Sequence, residues 1–173
     1  MVAGLPKKFD KKGLFQYQFA TMKNNSAKDL WADFLDKHPE YTFEKEPGVD
    51  HFGDTEEIAN SCLRLVLKGK KQATTHSLLG LQFRNEVLPK IDDLTIITDW
   101  EGTARCIIRT VKVRLRPFFS VGADYALLEG EGDSSLEYWR RSHWDYYTRE
   151  LEPFGKAPTE SMIVVCEAFE KIF

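Results

Sequence analysis

The chain has 173 residues, a formal net charge of −3 and 42% hydrophobic residues. A chain of this length is expected to fold as one domain around one core, and its ordinary composition excludes the disordered and collagen-like classes. The weak negative charge means that any nucleic-acid contact must come from a local basic patch. Three widely separated cysteines fit neither a disulfide framework nor a Cys-x-x-Cys metal site. No apolar run approaches the ~18 residues of a membrane span and no signal peptide is evident, so we expect a cytoplasmic protein that does not contact the membrane.

Residues 1–25 begin with several lysines and contain glycine and proline, and we interpret them as an N-terminal extension that precedes a domain over residues 26–173. Ser26 is followed by Asp29 three positions later, which is the spacing of a capping box at a helix N-terminus. This pattern predicts a first helix from Ser26, which Pro39 ends.

A second helix is predicted from the stretch after "HFGD", with Asp54 as the N-cap and Glu57 at the third helical position. Gly69 lies where a helix commonly takes a left-handed C-terminal residue, and the lysines around it suit the negative end of the helix dipole. A short third helix follows over about 78–83.

The period of the apolar residues then changes to that of strands. "LTIITD" and "ARCIIRTVKVRLRPFF" predict a β-hairpin with a long second strand, in which Val111, Val113 and Leu115 point inward. Ser134 or Ser135 is expected to cap a helix that runs to about Leu151, and "MIVVCEAFE" predicts a final strand. Helices followed by strands with one inserted helix indicate an α+β fold around a small barrel-like sheet.

The long strand of the hairpin is basic. Four of its cations share one segment without acidic residues, and three of these four lie on the outward face: Arg109, Lys112, Arg114 and Arg116. Local positive charge of this kind is what a phosphate backbone requires. A solvated strand face whose charges discourage edge-to-edge pairing is an equally good interpretation.

The stretch "EGEGD" supplies three closely spaced carboxylates, Glu129, Glu131 and Asp133. These side chains could bind a divalent cation or serve as general acids and bases. Acidic residues are also expected before a helix because of its dipole, and the ligand spacing of an EF-hand is absent. The four histidines show no zinc-binding spacing, and the helical stripe of Trp139, His143 and Tyr147 suits either core packing or stacking on bases.

The stretch "GKKQATTH" at positions 69–76 combines lysine and threonine. A lysine near a hydroxyl and a carboxylate can form a hydrolytic set, in which threonine attacks or orients water and glutamate transfers the proton. Sequence spacing alone does not bring Glu129 to Lys71. His76 has no predicted role.

Five stretches, taken in order, resemble one family: "HFGD", "GKKQAT", "LPKIDDLTIITDWEGTARCIIRT", "EGEGDSSLEYWRRSHWDYY" and "MIVVCEAFE". The chain resembles the ASCH domain of the PUA-like superfamily, in its longer bacterial form, over about residues 27–172. The resemblance implies a small mixed β-barrel with surrounding helices and a cleft lined by the Gly-x-Lys-x-x-Thr turn. ASCH and PUA-like domains are associated with RNA and modified nucleobases, and some ASCH proteins are hydrolases of N4-acetylcytidine or of RNA.

For the amidohydrolase branch the resemblance implies Lys71, Thr74 and Glu129 as the catalytic set. Further side chains of the turn, the acidic loop, the basic strand and the following helix are expected to bind substrate: Gly69, Thr75, Glu131, Asp133, Arg114, Arg116 and Trp139. That branch is shorter and lacks the "SLEYWRRSHWDYY" helix, so this chain departs from it.

Our leading hypothesis is therefore a protein that binds RNA, a nucleotide or a modified nucleobase, with an amidohydrolase as its enzymatic version and with no cofactor. In that version Lys71→Met abolishes hydrolysis and leaves the fold intact. The alternatives are an RNA-binding module without chemistry and a ribonuclease in which Glu129, Glu131 and Asp133 bind a divalent cation.

Overall fold

A computed structural model describes residues 22–173 together with two short strands near the N-terminus, β1 (Lys8–Phe9) and β2 (Phe15–Gln16), which pair antiparallel. The predicted extension over residues 1–25 therefore lies mostly outside the described residues. In the described part of the chain, every helix is too short or too polar to span a bilayer.

The fold is a half-barrel mixed sheet of five strands with helices packed on both faces. The strand order is β3-β5-β6-β7-β4, in which only β3 and β5 run parallel. The strands are β3 (Gly48–Asp50), β4 (Ala73–Ser77), β5 (Leu94–Thr98), β6 (Ala104–Pro117) and β7 (Ile163–Lys171). The helices are α1 (Asn25–Lys37), α2 (Glu56–Leu67), α3 (Leu78–Phe83), α4 (Ala123–Glu129) and α5 (Leu136–Leu151). The predicted α+β class and PUA-like architecture are thus confirmed.

Three apolar clusters join the helices to the sheet. Helix α1 packs Trp31 and Phe34 against Ile96 and Ile107 of the hairpin. Helix α2 packs against the opposite face of the hairpin. Its buried residues contact Ile97, Cys106 and Ile108, which alternate along the strands with Ile96 and Ile107. Helices α4 and α5 pack against Val164 and Cys166, near the start of β7. Apolar alternation along β5 and β6 thus determines on which side each helix lies.

The helix ends differ in detail from those predicted. Asn24, and not Ser26, caps α1, because its side chain accepts a hydrogen bond from the Ala27 amide. Thr55, and not Asp54, caps α2. The Asp54 carboxylate is instead held by the guanidinium of Arg149, at 2.7 and 2.8 Å. Thr also caps helices, although less strongly than Asp, so Thr55 can take the position while Asp54 is engaged in a long-range ion pair.

The predicted inward direction of two strand residues is wrong. Val111 is 43% exposed and Leu115 is 53% exposed. The register between β6 and β7 shifts between Thr110 and Lys112, which marks a bulge. Strand β5 pairs with β6 only as far as Arg109, so the rest of β6 has no strand on that side. Alternation along a strand predicts which residues share a face of the sheet, but the elements that pack on that face determine whether it is buried.

Candidate functional site

A cleft of about 790 Å³ opens on one face of the sheet. Its floor is formed by Thr74, Thr110 and Glu167, and the start of α2 with Phe52 closes one side. Residues of α3 and α5 form another wall, and the segments around β3 and between α3 and β5 complete the lining. The strand register explains the floor: Thr74 lies opposite Glu167 on the neighbouring strand, and directly opposed side chains share a face of the sheet.

At one end of the cleft, Lys71 is buried in an ion cluster that joins two distant segments of the chain. Its ammonium lies 2.9 Å from Glu129 Oε2 and 2.5 Å from Glu131 Oε1. The side chains of Lys71 and Glu129 are each 1% exposed, whereas Glu131 is 18% exposed and lines the cleft. Glu131 is thus the member of the cluster that a bound molecule can reach.

The charges of this cluster stabilise one another. Burial opposes the charge of the Lys71 ammonium, but the attraction of Glu129 and Glu131 outweighs burial and raises the pKa of Lys71 well above its usual value. Burial likewise opposes ionisation of Glu129, but Lys71 and then His143 hold the pKa of Glu129 well below its usual range. Lys71 therefore remains protonated at neutral pH and is unsuited to accept a proton from a substrate.

Three further side chains surround the Glu129 carboxylate. Its Oε1 accepts hydrogen bonds from the Thr75 hydroxyl at 2.5 Å and from the Trp139 indole at 2.7 Å. The His143 imidazole lies 3.5 Å from the same oxygen. Burial opposes protonation of His143, but Glu129 raises its pKa above the usual value. The helical stripe of Trp139 and His143 is therefore buried and faces a carboxylate.

Two glycines position the cluster, because each ends a helix in a left-handed conformation. Gly69 follows α2 with φ +68°, and the amides of Gly69 and Lys70 bond to the carbonyls of Val66 and Leu65, the pattern of a Schellman motif. Gly130 follows α4 with φ +66°. A Cβ on Gly130 would lie 2.7 Å from the carbonyl oxygen of Lys70, so only glycine lets the two segments meet.

Thr74 lies in strand β4 rather than in the predicted turn, and its side chain lines the cleft. Successive residues of a strand point to opposite faces of the sheet. Thr75 therefore contacts Glu129, while Thr74 points into the cleft as part of its floor. The structure brings Lys71, Glu129, Glu131, Thr75 and Trp139 together. Among the described residues, no hydrogen bond joins the Thr74 hydroxyl to any of them.

Other predicted site residues lie outside the cleft. Arg114 and Arg116 are opposite Cys166 and Val164 of β7, and these partners belong to the core beneath α5, so both arginines face away from the floor. Gly69 does not line the cleft. Arg109, the first cation of the basic strand, is paired with Glu170.

The three carboxylates of the acidic loop do not converge. Glu129 and Glu131 both contact Lys71, whereas Asp133 accepts a hydrogen bond from the Ser135 amide at the start of α5. Among the residues that the structure describes, no group of three or more His, Cys, Asp and Glu side chains is arranged to hold a metal ion.

Sequence reasoning missed five polar residues of the cleft that form hydrogen bonds with one another. His76 and Glu167 lie on the floor, 2.9 Å apart, and the Thr110 hydroxyl bonds to the same carboxylate. Arg84 and Glu150 lie in the wall and are joined by a hydrogen bond of 2.5 Å. A single acidic residue inside the apolar run "IVVCEAF" is the signal that could have identified Glu167, since a buried charge needs a partner.

Comparison with known proteins agrees with this architecture. An ASCH domain of Lactobacillus crispatus JV V101 superimposes with a TM-score of 0.82 at 29% sequence identity, over 88% of this chain and 97% of that one. A protein of Enterococcus faecalis V583 superimposes with a TM-score of 0.77 at 34% identity, over 85% of this chain and 88% of that one. Among curated proteins, no significant match was found.

The family model of the ASCH domain matches residues 48–173, which include the cleft-lining strands and both segments of the Lys71 cluster. The fold of this family is a PUA-like fold of the RNA-binding type. The match covers well over half of the chain, and it begins at the first strand of the five-stranded sheet. The chain therefore belongs to the ASCH domain family.

Proposed function

We propose that the cleft binds a nucleobase, either in a free nucleoside or exposed in single-stranded RNA. The observation that supports this most directly is the cleft itself, about 790 Å³ of space lined by polar groups. Small-molecule sites commonly have volumes of roughly 300–1,000 Å³. The RNA-binding type of fold makes a nucleobase the natural candidate for the occupant.

The composition of the walls also suits a planar ring with polar edges. Phe52, His51 and Tyr146 line the cleft, and bases stack on aromatic side chains of this kind. Thr74 and Thr110 place hydroxyl groups on the floor, where they can bond to the edges of a base. Arg114 and Arg116, on the other face of the sheet, would then serve an RNA backbone outside the cleft.

A thermal-shift titration tests this proposal, because a ligand that binds only the folded state raises the melting temperature by mass action. The panel contains cytidine, N4-acetylcytidine, uridine, adenosine, guanosine and a short single-stranded RNA, each with and without Mg²⁺. We expect at least one of them to raise the melting temperature of the wild type. Thr74→Val should weaken that response, and Thr148→Val, on the exposed side of α5, should retain it. A panel without any response would refute the proposal.

Hydrolysis is the second candidate, because the cleft combines an alcohol with a carboxylate. Thr74 and Glu131 both line it, and Lys71 holds Glu131 in place. Thr74 would attack the amide carbon of an acylated base, and Glu131 would take the hydroxyl proton and deliver it to the amine nitrogen as the carbon–nitrogen bond breaks. Water would then cleave the acyl ester on Thr74, which releases the acid and regenerates the hydroxyl. Lys71 would then be a positioning residue. Chromatography of N4-acetylcytidine incubated with wild type, Thr74→Val and Glu131→Gln tests this, and equal turnover by all three would contradict it.

A further inference from the structure

The lining of the cleft is acidic. Among the described residues, nine Asp or Glu residues line it, against three Lys or Arg residues. Of those three, Arg84 is already engaged by Glu86 and Glu150. A cleft with this excess of carboxylates has a negative potential, which repels phosphate and attracts cations and N–H groups.

The wall of the cleft contains a carboxylate oxygen without a partner. The Glu150 side chain is only 6% exposed, and its Oε1 accepts hydrogen bonds from Arg84 at 2.5 Å and from the Tyr146 hydroxyl at 3.3 Å. Its Oε2 is buried and has no hydrogen bond to any described residue. A buried acceptor without a donor costs free energy, so a ligand that brought a donor to this oxygen would recover that cost.

Glycine at position 80 is what lets the Glu150 carboxylate lie in this wall. A Cβ on Gly80 would be 2.5 Å from both carboxylate oxygens. Any other residue at this position of α3 would force the carboxylate away. Gly80 thus leaves room for the Glu150 carboxylate to lie directly against α3.

The floor presents a second acceptor, which belongs to His76. Its Nε2 lies 2.9 Å from Glu167 Oε2, and the Thr110 hydroxyl occupies the other oxygen of that carboxylate. A carboxylate only accepts, so Nε2 donates, and in the tautomer whose proton lies on Nε2 the other nitrogen, Nδ1, is an acceptor. Nδ1 has no hydrogen bond within the described part of the chain, and the side chain is 30% exposed to the cleft.

We propose that the cleft selects its ligand by hydrogen-bond donors: it takes nucleobases through their exocyclic amino groups, with Glu150 and His76 as specificity-determining acceptors, and it keeps phosphate outside. This inference rests on the proposed function and specifies its ligand class. Cytosine and adenine have an exocyclic amino group, whereas uracil and hypoxanthine have a carbonyl oxygen in the same position. The amino group of cytosine or adenine can donate to Glu150 and His76. The carbonyl oxygen of uracil or hypoxanthine would instead place an acceptor against these two acceptors.

Calorimetric titration of matched nucleosides tests the proposal on the wild-type protein. We expect cytidine to bind at least about tenfold more tightly than uridine, and adenosine more tightly than inosine, because a site built for donors leaves its acceptors unpaired with the wrong base. Cytidine 5′-monophosphate should bind no more tightly than cytidine. Uridine binding as well as cytidine, or tighter binding of the monophosphate, would overturn the donor selectivity and leave nucleobase binding intact. If no nucleoside binds, the proposed function fails with it.

Substitutions test whether Glu150 and His76 cause the preference for cytidine over uridine. Glu150→Gln should reduce the ratio of cytidine to uridine affinity, whereas Glu152→Gln makes the same charge change at an exposed position outside the cleft and should preserve that ratio. His76→Phe should also reduce the ratio, because it keeps a ring and removes the acceptor. It provides the test if Glu150→Gln fails to fold. An unchanged ratio in the folded variants would overturn the assignment.

Discussion

The Lys71 ammonium and the Glu129 carboxylate lie 2.9 Å apart, and each side chain is 1% exposed. The two residues are separated by 58 positions in the sequence. Lys71 follows the end of α2, and Glu129 is the last residue of α4. Their pairing therefore joins two segments that line one end of the cleft. Because both side chains are buried, water cannot take the place of either partner.

Replacing Lys71 by Met should destabilise the fold strongly. The substitution leaves Glu129 and Glu131 without their cation, and breaking a buried ion pair typically costs about 3–5 kcal/mol. Lys70 is the matched control, because it is adjacent and exposed, so Lys70→Met should change the free energy of unfolding by less than about 0.5 kcal/mol. Urea denaturation measures both. Equal stability of the two variants would contradict a structural role for Lys71 and would support the simpler expectation of a catalytic residue that leaves the fold unaffected.

Acid should weaken the fold through Glu129. Its pKa in the folded state lies below the usual 4.5, so its ionised form stabilises the protein above that value. The stabilisation should disappear as the pH falls below 4.5 toward the lowered pKa. The unfolding free energy of the wild type should therefore decrease with acidification more steeply than that of Glu129→Gln. Urea midpoints measured across this range provide the comparison, and parallel curves would show that Glu129 is not the group responsible.

His143 should produce the opposite dependence. Its pKa in the folded state lies above the usual 6.5, so the protonated ring stabilises the protein fully below 6.5. This contribution should be lost as the pH rises from 6.5 through the raised pKa. Comparing wild type with His143→Gln on either side of 6.5 isolates it, and His38→Gln, at a partly exposed histidine, is the control. A decline of the same size in all three proteins would rule out His143 as its source.

The two helix-ending glycines should respond differently to alanine. Gly69 has φ +68° and open space around it, so Gly69→Ala costs only the strain of a left-handed residue, about 1–2 kcal/mol. Gly130 has a similar φ, but a Cβ there would also collide with the Lys70 carbonyl oxygen. Gly130→Ala should therefore lower the unfolding free energy by more than Gly69→Ala does. Thermal or urea unfolding distinguishes this from equal losses, which would mean that the loops can move apart freely.

The start of α2 allows a direct test of the cap. Thr55→Ala removes the side chain that accepts a hydrogen bond from the Ile58 amide, and it should cost about 1 kcal/mol. Asp54→Asn removes only a solvent-exposed ion pair with Arg149, which should cost less than about 1 kcal/mol. Both losses are read from urea midpoints. A larger loss for Asp54→Asn would show that the ion pair with Arg149 stabilises the start of α2 more than the Thr55 cap does.

The local features of the fold follow closely from the sequence. Gly69 was predicted to end a helix, and it does so with the left-handed conformation that makes glycine the preferred residue there. Ser135, one of the two serines predicted to cap α5, is its cap, and the predicted pairing of β5 and β6 as a hairpin is found. Each of these features depends on residues within a few positions of one another, which is the range over which propensity and alternation act.

Pairings between distant segments could not be predicted in this way. Alternation placed Val111 and Leu115 on one face of β6, but no sequence pattern showed that β5 ends beside Arg109 and leaves both of them exposed. Helix α4 was not predicted at all, although Gly130 is a typical residue after a helix. Its last residue is Glu129, so the geometry of the site depended on an element that the pattern did not reveal.

The sequence by itself determined the family, the α+β class and the residue types that meet at one end of the cleft, because ordered motifs and short-range periodicity are properties of the chain. Only the tertiary structure decided what those residues do. It buried Lys71 between two carboxylates, and their attraction makes it a permanent cation instead of a base. It also brought Glu150 and His76, which no motif connects, into a cleft with unpaired acceptors. Burial and pairing with neighbours determine whether a side chain is charged and which of its hydrogen-bonding atoms lack a partner. Both arise only when distant segments pack together.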